Sequence, residues 1–178
     1  MPTVPTHAVV ALTILTVGGG GRTLPPSLWI AGAVCAVLPD MDVIGFSYGI
    51  RYGDLVGHRG LTHSIFFAAV VAAAVTVFQP RRDRRMYWAL LFLCTVSHGV
   101  LDAATDGGLG IAFFSPFSNQ RYFWPFRPID VSPIGLERFL SARGLDVIVT
   151  ELRWIWAPCV ALVLGTSLWR KAQAQEAA

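Results

Sequence analysis

An all-α membrane bundle of about five transmembrane or membrane-embedded helices is the fold class that this sequence predicts. Composition carries the first half of that reading. Of the 178 residues, 54% are hydrophobic and only 14% are charged, against roughly 25% charged in a typical soluble domain. Mean hydropathy is +0.55. A disordered chain needs the opposite balance, and a soluble globule needs more charge for its outer surface. The spacing of apolar stretches carries the second half, because five of them divide the chain and leave too little polar sequence to cover them. One integral-membrane domain over residues 1–178 accounts for the length.

The first apolar stretch runs from His7 to the glycine run at 18–21, and the second from Ser27 to about Phe46. The third runs from Leu61 to Gln79, the fourth from Met86 to Leu101, and the fifth from about Leu145 to Trp169. Only the third and fifth approach the ~20 residues that cross a ~30 Å hydrocarbon core. The others read as short or interrupted by charge. No signal peptide is expected, since the first basic residue is Arg22 and a positive leading region is missing. Cys35, Cys94 and Cys159 lie far apart in apolar runs and read as small buried hydrophobes.

Arginine sets the expected orientation. The run from Arg81 to Arg85 joins the third and fourth stretches, Arg22 lies between the first two, and Arg170 and Lys171 close the fifth. A five-helix path places all three clusters on one side. The positive-inside rule makes that side cytoplasmic, with the N-terminus outside and the C-terminus inside. Arg51, Arg59, Arg121, Arg127, Arg138 and Arg143 then fall on the other side, four of them in one long loop where the rule is weaker. The net charge of +3 is too mild to imply nucleic acid, and no basic patch is interleaved with aromatics. The aromatics Phe113, Phe114, Phe117, Tyr122, Phe123, Trp124 and Phe126 read as an interfacial belt.

The chemistry lies at the opposite ends of the stretches from those basic clusters. All four histidines are there. Counted from the cytoplasmic end at helical rise, His7 lies about 21 Å deep, Asp42 about 22 Å, His63 about 24 Å, His98 about 18 Å and Asp102 about 24 Å. Pro39 makes the Asp42 figure the least secure, because proline disturbs a helix. Isolated ionisable groups at such depth cost ~2.5–3.5 kcal/mol for Asp at a helix centre, so they need partners. A divalent metal satisfies both imidazole and carboxylate. The donor set favours Zn²⁺, with Mn²⁺ or Fe²⁺ as alternatives, and the lack of cysteine disfavours a structural zinc. Seven candidate ligands result: His7, Asp40, Asp42, His58, His63, His98 and Asp102. They are enough for one or two ions. His98 and Asp102, four residues apart, share a helix face. Asp106 extends that face but adjoins Gly107 and Gly108, where the helix is expected to fray. The competing reading makes each histidine an interhelical hydrogen-bond donor, has Asp40 or Asp102 cap a neighbouring helix or pair with Arg59, and makes Thr6 and Thr62 simple N-caps.

These residues resemble a known family. Thr6-His7, then Pro39-Asp40-Met41-Asp42, then His58-Arg59-Gly60-Leu61-Thr62-His63-Ser64, then His98-Gly99-Val100-Leu101-Asp102 and Trp124-Pro125-Phe126 follow the pattern of the bacterial YdjM-like family. Its members are described as LexA-regulated, membrane-bound metal-dependent hydrolases of the inner membrane. The resemblance covers residues 1 to 128, and its most specific element is the HRGxTHS run. It implies metal-dependent hydrolysis at the inner membrane.

The expected activity is attack of metal-activated water on an ester or phosphoester at the periplasmic face. Asp40 or Asp42, whichever is not a ligand, takes the proton. Arg59 suits an anionic oxygen, because its planar fork matches phosphate; an ion pair from Arg59 to Asp40 or Asp54 is the equal alternative. The lipid bilayer is the partner, and a phospholipid or another amphipathic phosphoester the substrate class. Two other classes compete: a metal or proton transporter, and a non-enzymatic membrane scaffold.

Overall fold

The computed structural model describes residues 1–133 and 139–177; Arg138, counted above in the long loop, lies outside them. Among the described residues the fold is helical and contains no strand. Helix α1 (Val4–Gly18) follows extended Thr3 and carries a proline in its first turn, where the missing N–H costs nothing and the fixed φ suits a helix. Helix α2 (Pro26–Tyr48) also opens on proline. It is α-helical to Val37 and tightens to a 3-10 helix over Leu38–Tyr48. Pro39 lies at that change and removes one intrahelical donor. The steeper rise of about 2.0 Å per residue stretches the depth counted for Asp42 at uniform α-helical rise.

Two expectations about length are corrected. The third stretch yields only a 13-residue helix, α3 (Ile65–Val77), because Ser64 caps it: the Ser64 hydroxyl accepts from the Phe67 N–H at 3.0 Å. Residues Leu61–His63 before it form a separate 3-10 turn. The second and fourth stretches are long enough to cross a membrane, at 23 residues for α2 and 20 for α4 (Arg84–Ala103). Charge does not interrupt α4, since His98 and Asp102 are sealed inside the protein. The fifth stretch is α5 (Ala142–Glu176), with a wider π turn at Leu152–Trp156.

Helices α1, α2 and α4 share the apolar core, built on Ala11, Leu15, Leu28, Cys35, Leu91 and Cys94. All three cysteines are free thiols. Helix α3 packs on α4, and α5 lies along α1. No side chain of Ala157–Glu176 is buried, and Leu164 and Trp169 point outward. Such a surface is a liability in water and a natural one in lipid.

The basic clusters gather at one end of the bundle. Arg22 lies 3.7 Å from Asp83, and Arg170 donates to the terminal carbonyls of α1, Val17 at 2.7 Å and Thr16 at 3.3 Å. A cation there offsets the helix dipole and satisfies orphan carbonyls. After α4, residues 104–133 fold back over the other end, tied by isolated bridges between Thr105 and Ile129 and between Ile111 and Tyr122. Phe114, Phe117, Trp124 and Phe126 face outward from it.

Candidate metal centre

Four segments meet at that second end. His7 comes from the first turn of α1, Asp40 from the 3-10 part of α2, His63 from the turn before α3, and His98 and Asp102 from one face of α4. All five are buried. One donor atom from each of Asp40, His63, His98 and Asp102 lies within 4.8 Å of the others. The His7 ring stacks on His98 with centroids 3.8 Å apart, and its Nε2 is 3.7 Å from Asp102 Oδ1. Two glycines permit the close approach. A Cβ at Gly99 would stand 2.9 Å from the His63 carbonyl oxygen, and one at Gly60 would stand 2.4 Å from that of Leu55.

Hydrogen-bond partners assign the tautomers. His98 Nδ1 lies 2.7 Å from the Ala36 carbonyl, which can only accept, so Nδ1 carries the proton. Nε2 of the neutral ring then offers a lone pair, yet it faces Asp40 Oδ1 at 3.2 Å. His63 repeats the pattern. Its Nδ1 is 3.0 Å from Thr62 Oγ1, which gives its own proton to Asp42 and so accepts from Nδ1, and 3.2 Å from Asp42 Oδ2, while Nε2 stands 3.7 Å from Asp40 Oδ1 and 3.6 Å from Asp102 Oδ2. Lone pairs thus confront carboxylates in a sealed space. His7 Nδ1 and Nε2, His63 Nε2, Asp40 Oδ2 and both Asp102 oxygens have no hydrogen-bond partner. Buried polar atoms are rarely left so, and a cation among them satisfies imidazole and carboxylate together. The residues therefore fit a divalent metal.

Asp42 and His58 stand one layer out. Asp42 Oδ1 accepts from His58 Nδ1 at 2.7 Å, and Oδ2 accepts from the Thr62 hydroxyl at 2.6 Å and the Arg59 N–H at 3.2 Å. Asp42, His58 and His63 also form a second group with metal-ligating atoms. The Arg59 side chain is fully buried. Its Nη1 donates to the Gly107 carbonyl at 2.7 Å, its Nη2 to the Thr105 hydroxyl at 3.1 Å, and its Nε lies 3.1 Å from Asp102 Oδ2. Of the carboxylates expected as its ion-pair partner, Asp40, Asp54 and Asp102, the one it meets is Asp102, because the chain turns inward at a left-handed Arg59 (φ 64°). Asp54 instead faces Arg51 outside. Asp106 lies beyond the end of α4, where it accepts from the Val131 N–H at 2.7 Å. At the rim Arg121 donates to the carbonyls of His58 and Tyr52, both at 3.1 Å. Burial raises the Tyr52 hydroxyl above its ordinary pKa.

The family model of YdjM inner membrane proteins matches residues 1–174. The chain belongs to the YdjM family. It is similar to inner membrane protein YbcI of Escherichia coli (strain K12), 43% identical over 175 residues that make up 96% of this chain and 99% of the relative. No solved structure matches. The YdjM match runs well past residue 128, where the motif resemblance stops, so α5 is part of the family unit.

Sequence reasoning missed two contributors to this YdjM site. Glu151 of α5 is buried and accepts from the Thr3 N–H and from the hydroxyls of Thr3 and Thr6, each hydroxyl at 2.6 Å. Trp156 Nε1 donates to Thr6 Oγ1 at 2.7 Å. Thr6 precedes His7, so α5 holds the turn that presents a site histidine. An isolated Glu within an apolar run was the available signal. Thr62, a simple N-cap in the competing reading, bonds Asp42 instead.

Proposed function

We propose that this inner-membrane protein is a metal-dependent hydrolase acting on an ester or phosphoester. The observation that carries the reading is the confrontation of imidazole lone pairs with the Asp40 and Asp102 carboxylates in a buried cluster. Asp40, His63, His98 and Asp102 would hold the ion, with His7 against Asp102. A divalent cation, Zn²⁺ before Mn²⁺ or Fe²⁺, supplies Lewis acidity that polarises the scissile group and lowers the pKa of water toward ~7. Asp40, expected to take the proton only if it were not a ligand, would here do both: Oδ1 faces His98 and His63, and Oδ2, free of hydrogen bonds, would be the atom that holds a proton. Arg59 acts through Asp102, neutralising and orienting it, since its side chain has no outward reach.

An apolar cavity of about 650 Å³ beside the first turn of α1, bordered by Pro2, Val43, Ile148 and Leu152, supports an amphipathic substrate such as a phospholipid. The site faces the periplasm in this reading, with the N-terminus outside and the C-terminus cytoplasmic, supported by the basic end opposite. A transport path finds no support in the apolar core of Leu15, Leu28 and Leu91 that fills the bundle below the site. The test combines elemental analysis of purified protein with a panel of esters and phosphoesters. His63→Ala and His98→Ala should lose metal and hydrolysis together while still inserting into the membrane. Normal metal content in both variants, or no turnover by a metal-loaded wild type on any ester class, would remove the reading.

A further inference from the structure

The two potential metal groups share one residue, His63. A neutral imidazole offers one lone pair and one N–H. Serving both groups as a ligand would require His63 to lose its last proton. The surroundings decide which nitrogen keeps it. Asp42 accepts from three donors, His58 Nδ1 at Oδ1 and the Arg59 N–H and the Thr62 hydroxyl at Oδ2, while His63 Nδ1 lies 3.0 Å from Thr62 Oγ1 and 3.2 Å from Asp42 Oδ2. Both lone-pair positions of Oδ2, the oxygen nearest His63, are filled by protein donors, and Oδ1 already holds the His58 N–H, which leaves Asp42 a poor ligand for an ion beside His63. The Arg59 N–H, in particular, can only donate. Charge agrees. Three carboxylates, Asp40, Asp42 and Asp102, stand against one guanidinium, Arg59, and leave two negative charges among the site's side chains. One divalent cation cancels them. A second would strand uncompensated positive charge in a buried cluster.

We propose that the centre is mononuclear, with its ion in the Asp40–His63–His98–Asp102 group, and that Asp42, braced by Thr62, is a positioning residue that holds His63 with its proton on Nδ1. This rests on the metal-dependent reading above. A carboxylate behind a ligating histidine fixes its tautomer and raises its basicity, and removing such a partner weakens metal affinity by about 10- to 100-fold. In Asp42→Asn the amide can turn its own N–H toward His63 and favour the wrong tautomer.

Co²⁺ titration of the purified full chain tests this, read by stoichiometry, affinity and ligand-field absorption. The wild type should take one ion per chain. Asp42→Asn should still take one, bound about 10- to 100-fold more weakly, with unchanged absorption bands because the ligands are unchanged. Thr62→Val should weaken binding in the same direction, and Thr62→Ser should restore it. Two ions per wild-type chain, altered bands in Asp42→Asn, or wild-type affinity in both Asp42→Asn and Thr62→Val would overturn the proposal while leaving the metal reading intact. A wild type that binds no ion would overturn both.

Discussion

Arg59 shows how one residue, through backbone and side chain, serves two carboxylates. Its N–H donates to Asp42 and its Nε lies against Asp102, while its carbonyl accepts from the Ala112 N–H at 3.0 Å. The left-handed backbone conformation costs on the order of 1 kcal/mol for a residue other than glycine, and these contacts hold it in place. Breaking a buried ion pair from one side strands the other charge, a loss of about 3–5 kcal/mol. Arg59→Ala should therefore lower thermal stability steeply. Arg59→Lys keeps the charge but loses the fork to Thr105 and Gly107, so it should cost less stability and leave turnover per folded molecule unchanged. Melting curves beside kcat/KM for both variants check this. A stable Arg59→Lys protein with collapsed turnover would instead assign the guanidinium to the substrate.

At the scale of elements, α5 is held to α1 by polar contacts at one end and by Arg170 at the other. Its long lipid-facing surface gives little packing specificity, because lipid tails are as apolar as leucine. Glu151 and Trp156 therefore decide where α5 sits. Glu151→Ala should leave the Thr3 and Thr6 donors unpaired, at about 1–3 kcal/mol for each buried group. The readouts are melting temperature and retained metal, and both should fall, since the loosened turn carries His7. Trp156→Phe removes a single hydrogen bond and should cost about 1 kcal/mol. Full metal retention in a destabilised Glu151→Ala protein would separate the tether from the site.

Over the whole molecule, the Arg81–Arg85 run and the histidine cluster occupy opposite ends. Arg22, the Arg81–Arg85 run and Arg170 lie at one end, and the histidines at the other. Single cysteines at positions 54 and 83, in a chain with Cys35, Cys94 and Cys159 replaced, check which end faces which compartment. Position 83 should label from the cytoplasm and position 54 from the periplasm. The reverse would invert the molecule without disturbing the one-sided site, and labelling of both from one side would break the five-helix path.

Composition and residue spacing already establish the membrane class, the all-helical architecture and the gathering of histidines and acids at one end. Each follows from one-dimensional facts: too few charges to cover the apolar stretches, and ionisable groups at similar distances along them. The helix lengths were less legible. A cap at Ser64 shortened α3, and burial let α4 run through His98 and Asp102. Helix packing separated Asp40, facing His63 and His98, from Asp42, which accepts from His58, Arg59 and Thr62. It also paired Arg59 with Asp102 and brought Glu151 to Thr6 across 145 residues of chain. Residue type and spacing establish which groups need partners in a low-dielectric interior. Which partner each one meets depends on where the chain turns, and that is settled when the helices pack.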